Sequence, residues 1–318
     1  MGVSGLREWR SILICPRCSS PLEMEQTVVR CTEGTCLYSE QPFPVVAGTP
    51  ALVDFERSIV SAEQLVGSGG KSQIPRGSRL RRRVGGLVRP RGYRTERNIS
   101  RMLELLRRDA EPSKRPVILI IGGGTVGRGT ADLYGAADVD TLAFDIYWSP
   151  LVQLIADGHR IPLMSETFDG VVIQAVLEHV LEPHVVAEQI HRVLRPTGLV
   201  YAETPFLQHV HEGAYDFTRF TDSGHRYLFR DFARIDSGVV AGPGTQLVWS
   251  IESFVRALFR SRWAGRAARL AVSWLALIDR FLDPRYSIDG ACGVYFLGRK
   301  STLRLQPREI VGYYEGAL

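Results

Sequence analysis

A chain of 318 residues has room for one α/β domain of about 200 residues and a smaller module. Its apolar share of 45% and charged share of 23% exclude a collagen-like, repetitive or largely disordered protein. The net charge of +5 is uneven: residues 76–108 hold twelve Arg, no Lys and two Glu, a local +10, which leaves the rest near −5. The N-terminus lacks the apolar stretch of a secretory signal, and no run approaches the roughly 18 apolar residues of a membrane span. The expected location is the cytoplasm.

In chain order, residues 10–56 come first and carry four of the five cysteines. Cys15-Pro-Arg-Cys18 presents two thiolates from one tight turn, and Cys31 and Cys36 form a second pair with a longer spacing. Paired cysteines in a cytosolic chain point to metal before disulfides. Four thiolates close a tetrahedral shell, so a Zn²⁺ ion there would be structural and would supply folding energy to a module too small for its own core. The alternative is four unligated thiols. The segment resembles the small zinc-ribbon proteins that activate tRNA and protein methyltransferases, in its Cys-Pro-x-Cys start and its Phe43-Pro44-Val45-Val46-Ala47-Gly48-Thr49-Pro50 run.

Residues 57–93 are rich in Gly, Ser and Arg and read as a linker. The run Arg79–Arg83 suits nucleic acid, anionic lipid or a phosphorylated substrate, or is a solvated linker.

Residues 94–303 alternate strand-like and helix-like stretches. A helix over 95–109 places Met102, Leu103, Leu105 and Leu106 on its apolar side. Strands follow at 117–121, 141–144, 168–173 and 199–203, with a helix at 183–194 before the last of these. Continuous apolar runs such as Val117-Ile-Leu-Ile-Ile121 fit parallel strands buried on both faces. The alternation implies right-handed βαβ units in a doubly wound α/β sheet.

The first strand ends in Gly122, Gly123 and Gly124, a turn that can approach a ligand closely and offers backbone amides to a polar group. Asp145 follows Gly124 by 21 residues at the end of the second strand, with Ile146 beyond it. A carboxylate there can accept hydrogen bonds from both hydroxyls of a ribose, or it caps a helix. Next come IADGHRIPL (155–163), FDGVVIQAVLEHV (168–180) and HRVLRPTGLVYAETP (191–205).

This succession, over residues 116–205, resembles the class I S-adenosylmethionine (SAM) methyltransferases of the small-molecule type. The resemblance implies a Rossmann-like, seven-stranded methyltransferase sheet with an antiparallel last strand, for which Gly290–Gly298 is the candidate. It implies that the glycine turn faces the methionine part of SAM, and that Asp145 and Ile146 lie at the ribose. Asp157 and Gly158 then lie at the adenine amino group, and Gln174 lines the pocket near the sulfonium. Two departures stand out: Ile120 occupies a place usually acidic, and Val126 one usually glycine.

The segment 203–229 is crowded with ionisable groups: His209, His211, Glu212, Asp216, Arg219 and His225. It resembles a loop in methyltransferases of bacterial surface-polysaccharide clusters. His211 is the candidate base, Asp216 its orienting partner or a binder of substrate hydroxyls, and Arg219 a binder of carboxylate or phosphate. The alternative is an internal Asp216–Arg219 ion pair with the histidines capping helices. His209 and His211 show no further metal ligand nearby in sequence. His179 is expected beneath the cofactor, and Glu178 at a helix N-terminus.

Residues 247–282 interleave aromatic residues with arginines, as in a helical insertion over the active site or a helix on a membrane surface. Residues 304–318 form a tail. The expected activity is SAM-dependent O-methylation of a sugar or lipid-linked glycan precursor, with peripheral membrane contact a further expectation. A tRNA or protein methyltransferase, or a non-catalytic SAM-binding scaffold, is the alternative. The absence of an Asn/Asp-Pro-Pro-aromatic motif at Gln174-Ala175-Val176-Leu177 weighs against exocyclic nitrogen targets.

Overall fold

The computed structural model describes residues 6–25, 28–72 and 92–317; the Arg79–Arg83 run lies outside them. The strands in chain order are β1 (Leu22–Glu25), β2 (Val28–Cys31), β3 (Val45–Val46), β4 (Thr49–Leu52), β5 (Val117–Ile121), β6 (Asp140–Asp145), β7 (Leu154–Ala156), β8 (Phe168–Gln174), β9 (Leu194–Pro205), β10 (Phe232–Ala241) and β11 (Gly293–Lys300). β1 and β2 form a separate hairpin, and the other nine strands make one sheet in the order β10-β11-β9-β8-β5-β6-β7-β4-β3.

The central strands β7, β6, β5, β8 and β9 are mutually parallel, and β11 runs antiparallel between β9 and β10. Strand β5 shows why the sheet must be covered on both sides. Ile118 and Ile120 pack with Ile99, Met102, Leu103 and Leu106 of helix α1 (Tyr93–Asp109). Leu119 and Ile121 face the other way, toward Val186, Ala187, Ile190 and Val193 of helix α2 (Pro183–Val193). The period-2 alternation of a strand thus serves two apolar helix faces. Pro183 at the start of α2 fits a position whose missing N–H would be unpaired anyway.

The expected seven strands are present, from β7 to β10, and the N-terminal segment adds two more. β3 and β4 join through the two-residue turn Ala47-Gly48, both residues at positive φ, as a tight hairpin requires. β4 then pairs in parallel with β7, Ala51 opposite Ile155 and Leu52 opposite Ala156. Strand β7 is only three residues long and would otherwise leave an open sheet edge. Leu13, Cys15, Val29 and Phe43 share one buried cluster with Leu163 and Phe168, so the cysteine-bearing segment and the sheet have a common core.

Between β10 and β11 lie three helices, α3 (Pro243–Leu258), α4 (Arg262–Ala271) and α5 (Leu275–Ile278). The carboxylate of Asp279 accepts from the amides of Gly242, Gly244 and Thr245, which ties the end of this hairpin to its beginning. Phe254, Phe259, Trp263, Trp274 and Phe281 are exposed on it. Among the described residues no helix is long and apolar enough to cross a membrane.

Candidate active site

Cys15, Cys18, Cys31 and Cys36 converge, their sulfurs all within 4.8 Å of one another. Cys15 and Cys36 stand 3.8 Å apart and Cys18 and Cys31 3.4 Å. A tetrahedral ion with metal–sulfur bonds of about 2.3 Å sets its ligands about 3.8 Å apart. The donor set and its spacing therefore fit zinc.

At the carboxyl end of β5 the amides of Gly122 and Gly123 both donate to Phe144 O, at 3.0 and 2.9 Å. Gly122 has φ +77, and a Cβ there would lie 2.3 Å from Val176 Cγ2, so no other residue fits. Gly124 N donates to Asp145 Oδ2 at 2.9 Å and Ile146 N to Asp145 Oδ1 at 2.8 Å, which fixes the carboxylate at the tip of β6. Gly127 takes the part expected of a glycine at Val126, one residue later: a Cβ there would lie 1.8 Å from Gln174 Oε1. The Gln174 amide donates to Arg128 O at 3.0 Å and to Glu203 Oε2 at 2.7 Å. Glu203 also accepts from Thr95 at 2.7 Å and from Tyr201. Burial raises its carboxyl above the usual range despite these donors. Sequence reasoning missed Glu203, whose only signal is an acid inside an apolar strand.

Asp157, just beyond β7, is buried beside Gly158. Its Oδ1 faces His159 Nδ1 at 2.6 Å, and its Oδ2 accepts from Ser58 of the N-terminal segment. Trp148 N donates to Gly70 O at 2.8 Å. Residues 58–70 thus lie along the edge where Asp145 and Asp157 sit. Burial opposes ionisation of Asp157, but His159 and Ser58 hold its pKa below the usual value.

The loop after β9 folds back onto the turn that follows β8. Ala175, at φ +53, swings the chain out of β8, and Glu178 O accepts from Phe217 N at 2.8 Å and Thr218 N at 3.2 Å. Asp216, with a side chain 1% exposed, accepts from the His211 amide at 2.9 Å and faces His211 Nδ1 at 3.3 Å. Arg219 closes on both its oxygens, at 2.9 Å to Oδ2, and also donates to Gln208 O at 2.8 Å. The internal Asp216–Arg219 ion pair is therefore present, while His211 caps no helix.

Burial alone would raise the Asp216 carboxyl; Arg219 and the His211 amide bring it down to about 2. Because the folded pKa is depressed, the unfolded chain binds the extra proton, and stability falls as pH drops from about 4 toward 2. The shift is worth on the order of 2 kcal/mol. Arg219→Ala, by leaving a buried carboxylate unpaired, is expected to cost about 3 kcal/mol near pH 7. Urea unfolding of both proteins from pH 7 to 4 checks this; an unchanged midpoint at pH 7 would refute it.

His179 lies against His211, with ring centroids 5.0 Å apart and planes at 72°, and its Nδ1 meets Tyr215 O at 2.6 Å. It lies against the loop that follows β9. Glu178 is completely buried, and neither carboxylate oxygen has a hydrogen-bond partner. Burial pushes its carboxyl up to about 8. His225 is no part of this cluster: it is buried against Phe220, Phe229 and Phe296, and burial drives its pKa down to about 3. His209 sits apart as well, 3.5 Å from Ser250 on α3.

Residues 135–202, from just before β6 into β9, match the family described as "Methyltransferase domain". No curated protein matches the chain. Solved structures similar to it include a complex of the Haloferax volcanii Trm112 methyltransferase activator with a candidate methyltransferase. That match has 17% identity and a TM-score of 0.39, covering 66% of this chain and 94% of that one. Another is Burkholderia thailandensis 1,6-didemethyltoxoflavin-N1-methyltransferase, at 16% identity and a TM-score of 0.39, covering 65% and 78%. Haemonchus contortus phosphoethanolamine N-methyltransferase 2 follows at 14% and 0.39, covering 64% and 53%. With the glycine turn and Asp145 at the tips of β5 and β6, residues 135–202 carry the match to a methyltransferase domain.

Proposed function

We propose that the protein transfers the methyl group of SAM to a hydroxyl oxygen of a sugar or lipid-linked glycan precursor. The observation that carries this reading is the imidazole of His211, oriented by a buried Asp216 that Arg219 holds in place. With Nδ1 turned to Asp216, Nε2 keeps its lone pair, as suits a group that makes an acceptor oxygen nucleophilic; in its simplest form His211 is the general base. Methyl transfer is an in-line displacement, so the remaining task is to hold acceptor and sulfonium close and aligned.

In this reading Gly122, Gly123 and Gly124 face the methionine part of SAM. Asp145 binds the ribose, with Ile146 beside it, and Gln174 lines the sulfonium end. Asp157 and Gly158 meet the adenine amino group, Asp157 sharing its carboxylate with Ser58. Arg219 acts through Asp216, since its guanidinium is already engaged. Cys15, Cys18, Cys31 and Cys36 hold a structural zinc ion. The exposed aromatic residues of α3–α5, interleaved with Arg256, Arg260, Arg262 and Arg266, support a lipid-linked acceptor met at a membrane surface.

Two measurements test the reading. Asp145→Ala should raise the Kd for SAM roughly 100-fold in calorimetry, because two charge-assisted hydrogen bonds to ribose are worth about 3 kcal/mol together. An unchanged Kd would remove Asp145 from the cofactor site. Incubation with methyl-labelled SAM and, separately, lipid-linked saccharide, bulk RNA and protein should place the label on the saccharide. Label appearing only in RNA or protein would overturn the acceptor class.

A further inference from the structure

We propose that Glu178, His179 and His211 bind one divalent transition-metal ion, at a site distinct from the cysteine cluster. One ligand atom from each lies within 4.8 Å of the others. The Glu178 side chain is 1% exposed, and His179 Nε2 and His211 Nε2 stand 3.5 and 3.9 Å from its Oε1. Those separations lie at or beyond the outer limit of a hydrogen bond. They are close to the spacing across a shared ion: three ligands at about 2.0–2.2 Å in tetrahedral array stand about 3.3–3.6 Å apart. His211 would close by a few tenths of an ångström.

The second ring nitrogens strengthen the case. His179 Nδ1 meets the carbonyl of Tyr215 at 2.6 Å, and His211 Nδ1 meets the carboxylate of Asp216 at 3.3 Å. Each acceptor draws the ring proton to Nδ1 and leaves Nε2 as a lone pair, which is how metal-binding imidazoles are normally held. Both lone pairs then converge on a carboxylate that is buried and has no hydrogen-bond partner. A buried carboxyl without a partner avoids the cost of a buried charge either by keeping its proton or by holding a cation between itself and the two imidazoles. Two imidazoles and one carboxylate suit zinc or iron(II) and leave at least one coordination position open. The side chains of His179 and His211 are 17% and 23% exposed, so the open position is reachable from solvent.

The ion's part in catalysis rests on the acceptor reading above. With the metal bound, His211 Nε2 is a ligand and the ion takes over the activating role. The acceptor hydroxyl coordinates at the open position and releases its proton to solvent water. Its oxygen forms the new O–C bond as the C–S bond of SAM breaks, and the electron pair stays on sulfur.

The test is metal content of the full chain after dialysis against micromolar zinc or cobalt. The expected result is two equivalents in the wild type and one in His179→Ala and in His211→Ala. With cobalt, the remaining equivalent should keep the strong sulfur-to-metal charge-transfer band of the cysteine cluster, and the weaker nitrogen/oxygen-site bands should vanish. SAM affinity equal to wild type shows that each variant is folded; Glu178→Gln, shape-preserving, gives a third reading. One equivalent in the wild type, or a second equivalent that persists in all three variants, overturns the site. If only one equivalent binds and His211→Ala still abolishes turnover, the metal fails and the direct base stands. If two bind and no saccharide is methylated, the acceptor reading fails and the site stands.

Discussion

Stripping zinc from the four-cysteine cluster, by chelation or by Cys31→Ser, is expected to melt the N-terminal segment and to weaken SAM binding with it. Apart from the core it shares with the sheet, the segment is held by a four-residue hairpin strand pair, the stacked rings of Tyr38 and Phe43 at 4.2 Å, and sulfurs already gathered for an ion. Metal binding in such modules supplies roughly 10–16 kcal/mol of apparent folding free energy. The consequence reaches the cofactor edge because β4, which follows the cysteines, pairs with β7, and Ser58 donates to Asp157, the residue that follows β7. If even ~4 kcal/mol of that reaches the main domain, Tm falls by about 10 °C. Loss of the Ser58 contact and a freed sheet edge should raise the Kd for SAM several-fold. Zinc content, thermal unfolding and calorimetry on the same sample decide it. A zinc-free protein with wild-type Tm and wild-type SAM affinity would show that the two parts are not coupled.

His211→Ala is expected to lower kcat by about 10²- to 10⁴-fold while the Kd for SAM stays within a factor of two of wild type. The split follows from position. His211 lies in the loop docked on Glu178, held by Asp216, whereas the glycine turn and Asp145 are built on β5 and β6 and owe nothing to that loop. The magnitude is that of losing proton removal from the acceptor while positioning remains. A fall in SAM affinity matching the fall in rate would make His211 a cofactor-site residue, and full activity would remove it from the mechanism. Asp216→Asn should reproduce part of the loss, because it keeps the shape and removes the charge that orients the ring.

The features legible before folding are those encoded by short-range spacing. The Cys15–Cys18 and Cys31–Cys36 pairs declared a common ligand, and their sulfurs do meet. The 21-residue step from Gly124 to Asp145 became a 2.9 Å hydrogen bond. The alternation of apolar runs gave the two-sided sheet, because strand and helix periodicities are properties of consecutive residues.

What escaped notice is what distant segments do to one another. Strand β7 is three residues long and carries no period, and its partner β4 lies about a hundred positions earlier. Glu178 has the local look of a helix-start acid; only the arrival of residues 208–219 sets His211 beside it and buries its carboxylate without a hydrogen-bond partner. So the amino-acid order by itself determined the class of sheet, the glycine turn with its aspartate and the four thiolates. The tertiary structure alone decided the nine-stranded join, the Ser58–Asp157 contact and the convergence of one buried carboxylate with two imidazoles. The reason is physical: periodicity is written in neighbours along the chain, whereas burial, ring tautomer and ligand geometry are set by neighbours in space.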